Sequence, residues 1–184
     1  MFISHKTCIN KSILFVKLFP EILKKMLKNS LLISLFISFT SLHAQELEVI
    51  KFPKMEELMS QKNDTTYVIN FWATWCKPCV AEIPYFQQLE QEWKKEKVKF
   101  IYVSIDFIRR KPGVVNIINE KQWKGRFYLL DEPDQNAWID KVSTEWEASI
   151  PATLVYNHKK NKKQFFEREF KYEELKKELN QFIK

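Results

Sequence analysis

Phe71-Trp72-Ala73-Thr74-Trp75-Cys76-Lys77-Pro78-Cys79-Val80-Ala81-Glu82-Ile83-Pro84 is the stretch on which the reading of this chain turns. It follows a short apolar run, Tyr67 to Phe71, that reads as a buried strand, and it leads into helical periodicity from Cys79 to about Glu96. Cys76 therefore falls at a strand-to-helix junction. The unpaired N–H groups and positive dipole end of a helix favour a thiolate there, below the free cysteine pKa of about 8.5. Lys77 adds a neighbouring positive charge, against the plainer reading of a solvated surface lysine. Pro78 suits a first helical turn, where its missing N–H is not needed. Pro84, inside the helix, removes one backbone bond and is expected to kink it.

The chain has three cysteines, Cys8, Cys76 and Cys79. A ring as small as one between Cys76 and Cys79 gains little from the loop-closure effect by which staples stabilise, so stability is a poor explanation for the pair. A structural zinc site needs about four ligands, whereas beyond residue 44 the only histidine is His158, in a lysine-rich turn. Covalent haem attachment needs histidine after the second cysteine, where this chain has Val80. Redox chemistry remains.

With 184 residues, 45% of them hydrophobic, the chain suits one globular domain with a substantial core. Its two glycines are too few for a glycine-rich phosphate cradle, and neither common phosphate-loop pattern occurs. The net charge of +7 would suit a nucleic-acid or membrane-surface partner. Residues 1–44, however, hold six lysines against Glu21, leaving the rest near neutrality. That leader reads as a secretory signal peptide: Lys24, Lys25 and Lys28, then an apolar run from Leu31 to Phe39, then Ala44 before the expected cut. Leu42 is larger than the preferred residue three before the cut. Met26 is a plausible true start, and an uncleaved membrane anchor is the alternative, disfavoured because the run falls short of the roughly 20 residues that span a bilayer. The expected domains are thus a leader, 1–44, and a folded unit, 45–184.

The segment Phe71 to Pro84 resembles the active site of the thioredoxin-like proteins, specifically the exported TlpA/ResA-like thiol-disulfide oxidoreductases. A second motif, Ser149-Ile150-Pro151-Ala152-Thr153-Leu154, resembles that family's cis-proline loop. The resemblance covers about residues 46–184. It implies that Cys76 is the exposed nucleophile, that Cys79 resolves the mixed disulfide, and that the two end as a redox-active bridge. It also implies that cis Ile150–Pro151 faces them and offers backbone to an extended substrate, and that Trp75 lies beside Cys76. Glu82, one helical turn past Cys79, takes the place of the family's acidic residue and would receive the Cys79 proton; a glutamate near the helix N-terminus, favoured there by the dipole, is the plainer reading. Many cytoplasmic thioredoxins carry a buried aspartate where this chain has Asn70, so that proton path is missing here.

The fold class expected is α/β: a thioredoxin fold with a central mixed β-sheet flanked by helices. Strands are expected at Val98 to Asp106 and Phe127 to Leu130, helices at Val114 to Trp123 and Asn136 to Trp146. A hairpin of Ala152 to Tyr156 and Gln164 to Phe170, joined by His158 to Lys163, then precedes a last helix, Tyr172 to Ile183, with Leu175, Leu179 and Phe182 on one face. Residues 107–135 resemble the inserted strand-helix element of the TlpA/ResA-like proteins. Trp123, Trp138 and Trp146 are expected in the core. Lys159, Lys160, Lys162 and Lys163 read as a solvated edge loop in preference to a site for an acidic partner. The hairpin lacks the usual Asp-x-x-Gly, and no glycine precedes the last helix, so the substrate surface is expected to differ from that of relatives.

The resemblance implies an exported, periplasmic or otherwise extracytoplasmic, protein-disulfide reductase without cofactor or metal. Its substrates would be exported disulfide-bearing proteins, with apocytochromes in cytochrome c maturation as one class. A membrane-embedded thiol donor would supply electrons, and no nucleic-acid partner is expected. A disulfide oxidase or isomerase is the first alternative, although Lys77-Pro78 lacks the histidine that oxidants of this fold often carry there. A non-enzymatic binding or chaperone module is the second.

Overall fold

The computed structural model describes residues 47–183, together with Lys24. The signal-peptide reading of residues 1–44, with its Met26 start, lies outside the described residues.

The central strand, β2 (Thr66–Trp72), is buried along its whole length, which is why its sequence is a continuous apolar run and not an alternation. It pairs in parallel with β3 (Val98–Ser104) and antiparallel with β5 (Ala152–Asn157). Outside these lie β4 (Arg126–Leu130) and β1 (Glu48–Ile50) on one side and β6 (Lys162–Phe166) on the other, giving a mixed sheet in the order β1-β4-β3-β2-β5-β6. Alternation along β2 divides the core. Val68 and Trp72 face a layer made by α2 (Lys77–Glu92), α3 (Lys111–Glu120) and α5 (Tyr172–Ile183), whereas Tyr67, Ile69 and Phe71 face α1 (Phe52–Met59) and α4 (Ile139–Val142). Asn70 shares the period-two face of Val68 and Trp72, and so is aimed at α2.

The expected fold class is met, and several boundaries shift. The sequence reading assigns no element to residues 47–65, where β1 and α1 stand; both are short, and β1 is an edge strand of three residues. Helix α2 starts at Lys77 because Cys76 caps it, and ends at Glu92, where Trp93 leaves helical geometry. It runs continuously through Pro84. The single helix expected from Asn136 to Trp146 is instead a 3-10 turn, Gln135–Ala137, followed by the one-turn α4. Trp138 and Trp146 each pack on Phe71, with ring centroids 6.4 and 4.7 Å away, and the chain bends to deliver both indoles to that ring. Trp123, Trp138 and Trp146 are all buried, as expected.

The hairpin also differs. Its second strand spans Lys162–Phe166, not Gln164 to Phe170. Asn161 takes the positive φ that a turn glycine would supply, and the Asn157 side chain accepts from the Lys160 N–H, so the two asparagines do the work of the missing glycine motif. Three of the four hairpin lysines are committed to helix ends. Lys160 Nζ donates to the Phe182 and Ile183 carbonyls at 2.9 and 2.7 Å, Lys162 Nζ to the Gln181 carbonyl, and Lys163 Nζ to the Val142 carbonyl. These cations satisfy orphan carbonyls at the negative ends of α5 and α4. Lys159, Lys162 and Lys163 are exposed on the edge hairpin, as expected, and the anchoring of helix ends is a role the sequence reading misses.

Candidate active site

The site lies at the carboxyl end of the parallel strands, where β2 hands over to α2. Cys76 is the N-cap of α2: its backbone is extended, and its Sγ accepts from the Cys79 N–H at 3.3 Å. That bond is one of the orphan donors of the first turn, and it would stabilise a thiolate on the same sulfur. Cys76 and Cys79 form a disulfide with Cα atoms 5.3 Å apart. Cys79 is sealed from solvent, whereas Cys76 keeps a small exposed surface. The asymmetry fits one sulfur for attack from outside and one for resolution within.

The Ile150–Pro151 peptide is cis, and the Ile150 carbonyl oxygen stands 3.7 Å from Cys76 Sγ. An oxidised sulfur has no proton to donate, so this is a contact that puts the proline loop over the disulfide. Trp75 is 58% exposed beside Cys76. Lys77 and Pro78 are exposed on the first turn of α2.

Glu82 is fully buried. One carboxylate oxygen accepts from Asn70 Nδ2 and the other from the Phe170 N–H, both at 2.8 Å. Burial pushes its pKa up to about 7, the two hydrogen bonds opposing the shift. Asn70 Nδ2 also donates to Thr153 Oγ1 at 3.2 Å, from the residue opposite it on β5, while Asn70 Oδ1 has no partner among the described residues. Asn70, in the position where a proton-carrying aspartate was noted as missing, is a ligand of the glutamate. The sequence reading misses Thr153 and Phe170, for neither carries a local signal.

It also misses a second buried carboxylate. Asp106, one residue past Ile105 at the end of β3, accepts from the Thr74 N–H (2.8 Å), Thr74 Oγ1 (2.7 Å) and Ser104 Oγ (2.9 Å). It is 1% exposed and ties the loop before Cys76 to the neighbouring strand end. A Ser-x-Asp pattern closing a parallel strand is the one cue the sequence offers.

A dithiol-disulfide pair capping a helix, opposed by a cis proline on a mixed sheet of this order, defines a thioredoxin-fold redox protein. The chain belongs to the Redoxin family, whose model matches residues 51–161. Among curated proteins, the thiol-disulfide oxidoreductase ResA of Oceanobacillus iheyensis is 54% identical over 39 residues, 21% of this chain and 20% of that protein. ResA of Geobacillus kaustophilus is 38% identical over 50 residues, 27% of this chain and 29% of that one. The matched stretches thus span less than a third of those relatives. Two solved structures share the fold: a thioredoxin-related protein from Neisseria meningitidis serogroup B, with TM-score 0.58, 20% identity, and 68% of this chain and 89% of that one covered, and a thiol:disulfide interchange protein from Chlorobium tepidum, with TM-score 0.55, 20% identity, and 66% and 81% covered.

Proposed function

We propose that this protein is an extracytoplasmic thiol-disulfide oxidoreductase that reduces disulfides in exported proteins. The observation that carries the reading is the Cys76–Cys79 disulfide at the N-terminus of α2, with Ile150 of a cis-proline loop against Cys76. In the reduced protein the Cys76 thiolate attacks one sulfur of the partner's disulfide. A mixed disulfide forms and the partner's other sulfur leaves as a thiolate. The Cys79 thiolate then attacks Cys76 Sγ, re-forming the internal bridge and releasing the second partner thiolate. Two electrons pass to the partner.

Cys79 must lose its proton inside a sealed site. Glu82 is the acceptor we assign: it is buried one helical turn further on, and with a pKa raised to about 7 it can take a proton near neutrality and return it. The signal-like leader supports export, and an external membrane thiol donor would return the two electrons. Apocytochromes awaiting haem attachment are one substrate class within this reading.

The test is Cys79→Ser. With the resolving sulfur gone, the mixed disulfide through Cys76 has no internal escape and accumulates with the physiological partner, visible as a reducible adduct. If no such adduct forms under conditions where the wild-type chain turns over, the assigned roles are wrong.

A further inference from the structure

We propose that the segment after β3 is a charge-selective docking ledge for the partner, reading carboxylates beside the partner's cystine; this rests on the oxidoreductase reading above. The two loops at the carboxyl ends of β2 and β3 are held as one piece. Ile105 N–H donates to the Trp72 carbonyl at 2.9 Å, and the buried Asp106 carboxylate takes both the backbone N–H and the hydroxyl of Thr74. Trp75 and Cys76 follow Thr74 directly, and Phe107 and Ile108 follow Asp106. The chain thereby presents, beside its redox pair, the exposed large apolar side chains Trp75, Phe107 (54% exposed) and Ile108 (46% exposed). Large apolar side chains exposed on two loops that are clamped to each other beside a reactive pair suit an interaction site.

Charge decides what that site takes. Arg109 and Arg110 follow at once in an exposed 3-10 turn, and neither has a carboxylate partner among the described residues. The Arg109 guanidinium lies over the Phe107 ring at 4.8 Å, holding the cation against the apolar surface. Lys77, on the first turn of α2, adds a third exposed cation. On the adjoining β4 loop Asp131 pairs with Lys51 at 2.9 Å, while Glu132 and Asp134 accept from the Phe52 and Asn136 N–H groups at 3.0 and 3.2 Å. An apolar ledge bearing arginines that have no ion-pair partner among the described residues fits a partner segment whose cysteine has an apolar neighbour and then aspartate or glutamate. Opposite charge there would raise encounter rate and select register.

The experiment uses the fully reduced, full-length chain and two synthetic cystine-loop peptides, identical except for Leu-Glu-Glu or Leu-Lys-Lys after one cysteine. Each peptide rate is divided by the same protein's rate on the uncharged bis(2-hydroxyethyl) disulfide. At low ionic strength the acidic peptide should be reduced about tenfold faster than the basic one, and the ratio should shrink toward one as salt screens the contact. In R109E/R110E the ratio should invert; in R109Q/R110Q it should approach one. Equal rates for the two peptides with the wild-type chain, or a preference that both variants retain, would overturn the ledge. Failure of the wild-type chain to reduce the uncharged disulfide would overturn the oxidoreductase reading instead.

Discussion

Replacing Glu82 with glutamine should make the protein more stable at alkaline pH and leave it nearly unchanged at acidic pH. In the fold, Glu82 holds its proton up to about pH 7, whereas an ordinary glutamate releases it near 4.5. Below 4.5 the carboxyl is protonated in both states and contributes nothing to the pH dependence. Between 4.5 and about 7 the folded chain binds the extra proton, so stability falls as pH rises, and above 7 the full penalty remains. Over that interval the loss is about 3 kcal/mol, at 1.36 kcal/mol per unit of pKa difference. Glutamine imitates the protonated acid: its oxygen can keep accepting from the Phe170 N–H, and its amide can donate to Asn70 if the Asn70 side chain turns over. That turn brings the unpartnered Asn70 Oδ1 into use. Urea unfolding of the oxidised wild type and Glu82→Gln, at intervals from pH 4.5 to 8.5, isolates this one group as a difference. The gap between them should open by about 3 kcal/mol, half of it by about pH 6, midway between the two pKa values, and nearly all of it by about pH 7. Parallel curves would show that Glu82 is ionised throughout and refute its assignment as a proton acceptor tuned by burial.

Three other outcomes follow from the same geometry. Asn70→Ala removes one of the two hydrogen bonds that hold the Glu82 pKa down, so the carboxyl titration followed by 13C NMR should move above about 7; a downward move would show that the bond does not form. Asp106→Asn places an amide N–H among three donors and should lower stability by about 2–3 kcal/mol in urea at pH 7, whereas a loss under about 0.5 kcal/mol would mean that the clamp on Thr74 is not formed. The reduction potential of the Cys76–Cys79 pair, measured against dithiol buffers, should fall near −270 mV, a value about that of thioredoxin; a value near about −120 mV would make the protein an oxidant and reverse the proposed direction.

What could be read from the sequence was whatever local order encodes. The cysteine spacing, Pro78, and the Ile150-Pro151 pair lie within short motifs. The central strands are continuous apolar runs because both their faces are covered, and α5 shows its apolar stripe cleanly. Functions that depend on residues distant along the chain were not legible. Glu82 could be picked by helical spacing, yet its environment is supplied by Asn70, 12 residues away, and by the Phe170 N–H, 88 residues away. Residues 136–146 carry a helical pattern, but the packing of Trp138 and Trp146 on Phe71 overrides it. The lysines of the hairpin look like solubility because their acceptors are backbone carbonyls at the end of another element, which composition cannot display.

The two buried carboxylates divide the work of the site by how they are satisfied. Asp106 receives three donors, two of them from Thr74, so it is a fixed support for the loop that carries Trp75 and Cys76. Glu82 receives two donors in a fully desolvated pocket, beside an asparagine whose oxygen is left without a partner. A proton arriving at Glu82 neutralises the buried charge and, with one turn of the Asn70 amide, gives that oxygen a donor. Each gain partly offsets the penalty of the ionised state, and neither requires the backbone to move. In the proposed mechanism, exchange at Cys76 needs rigidity in front, on the side proposed for docking, and a reversible proton site behind, where Cys79 would lose and regain its hydrogen. The sequence places Cys76 and Cys79 between the two.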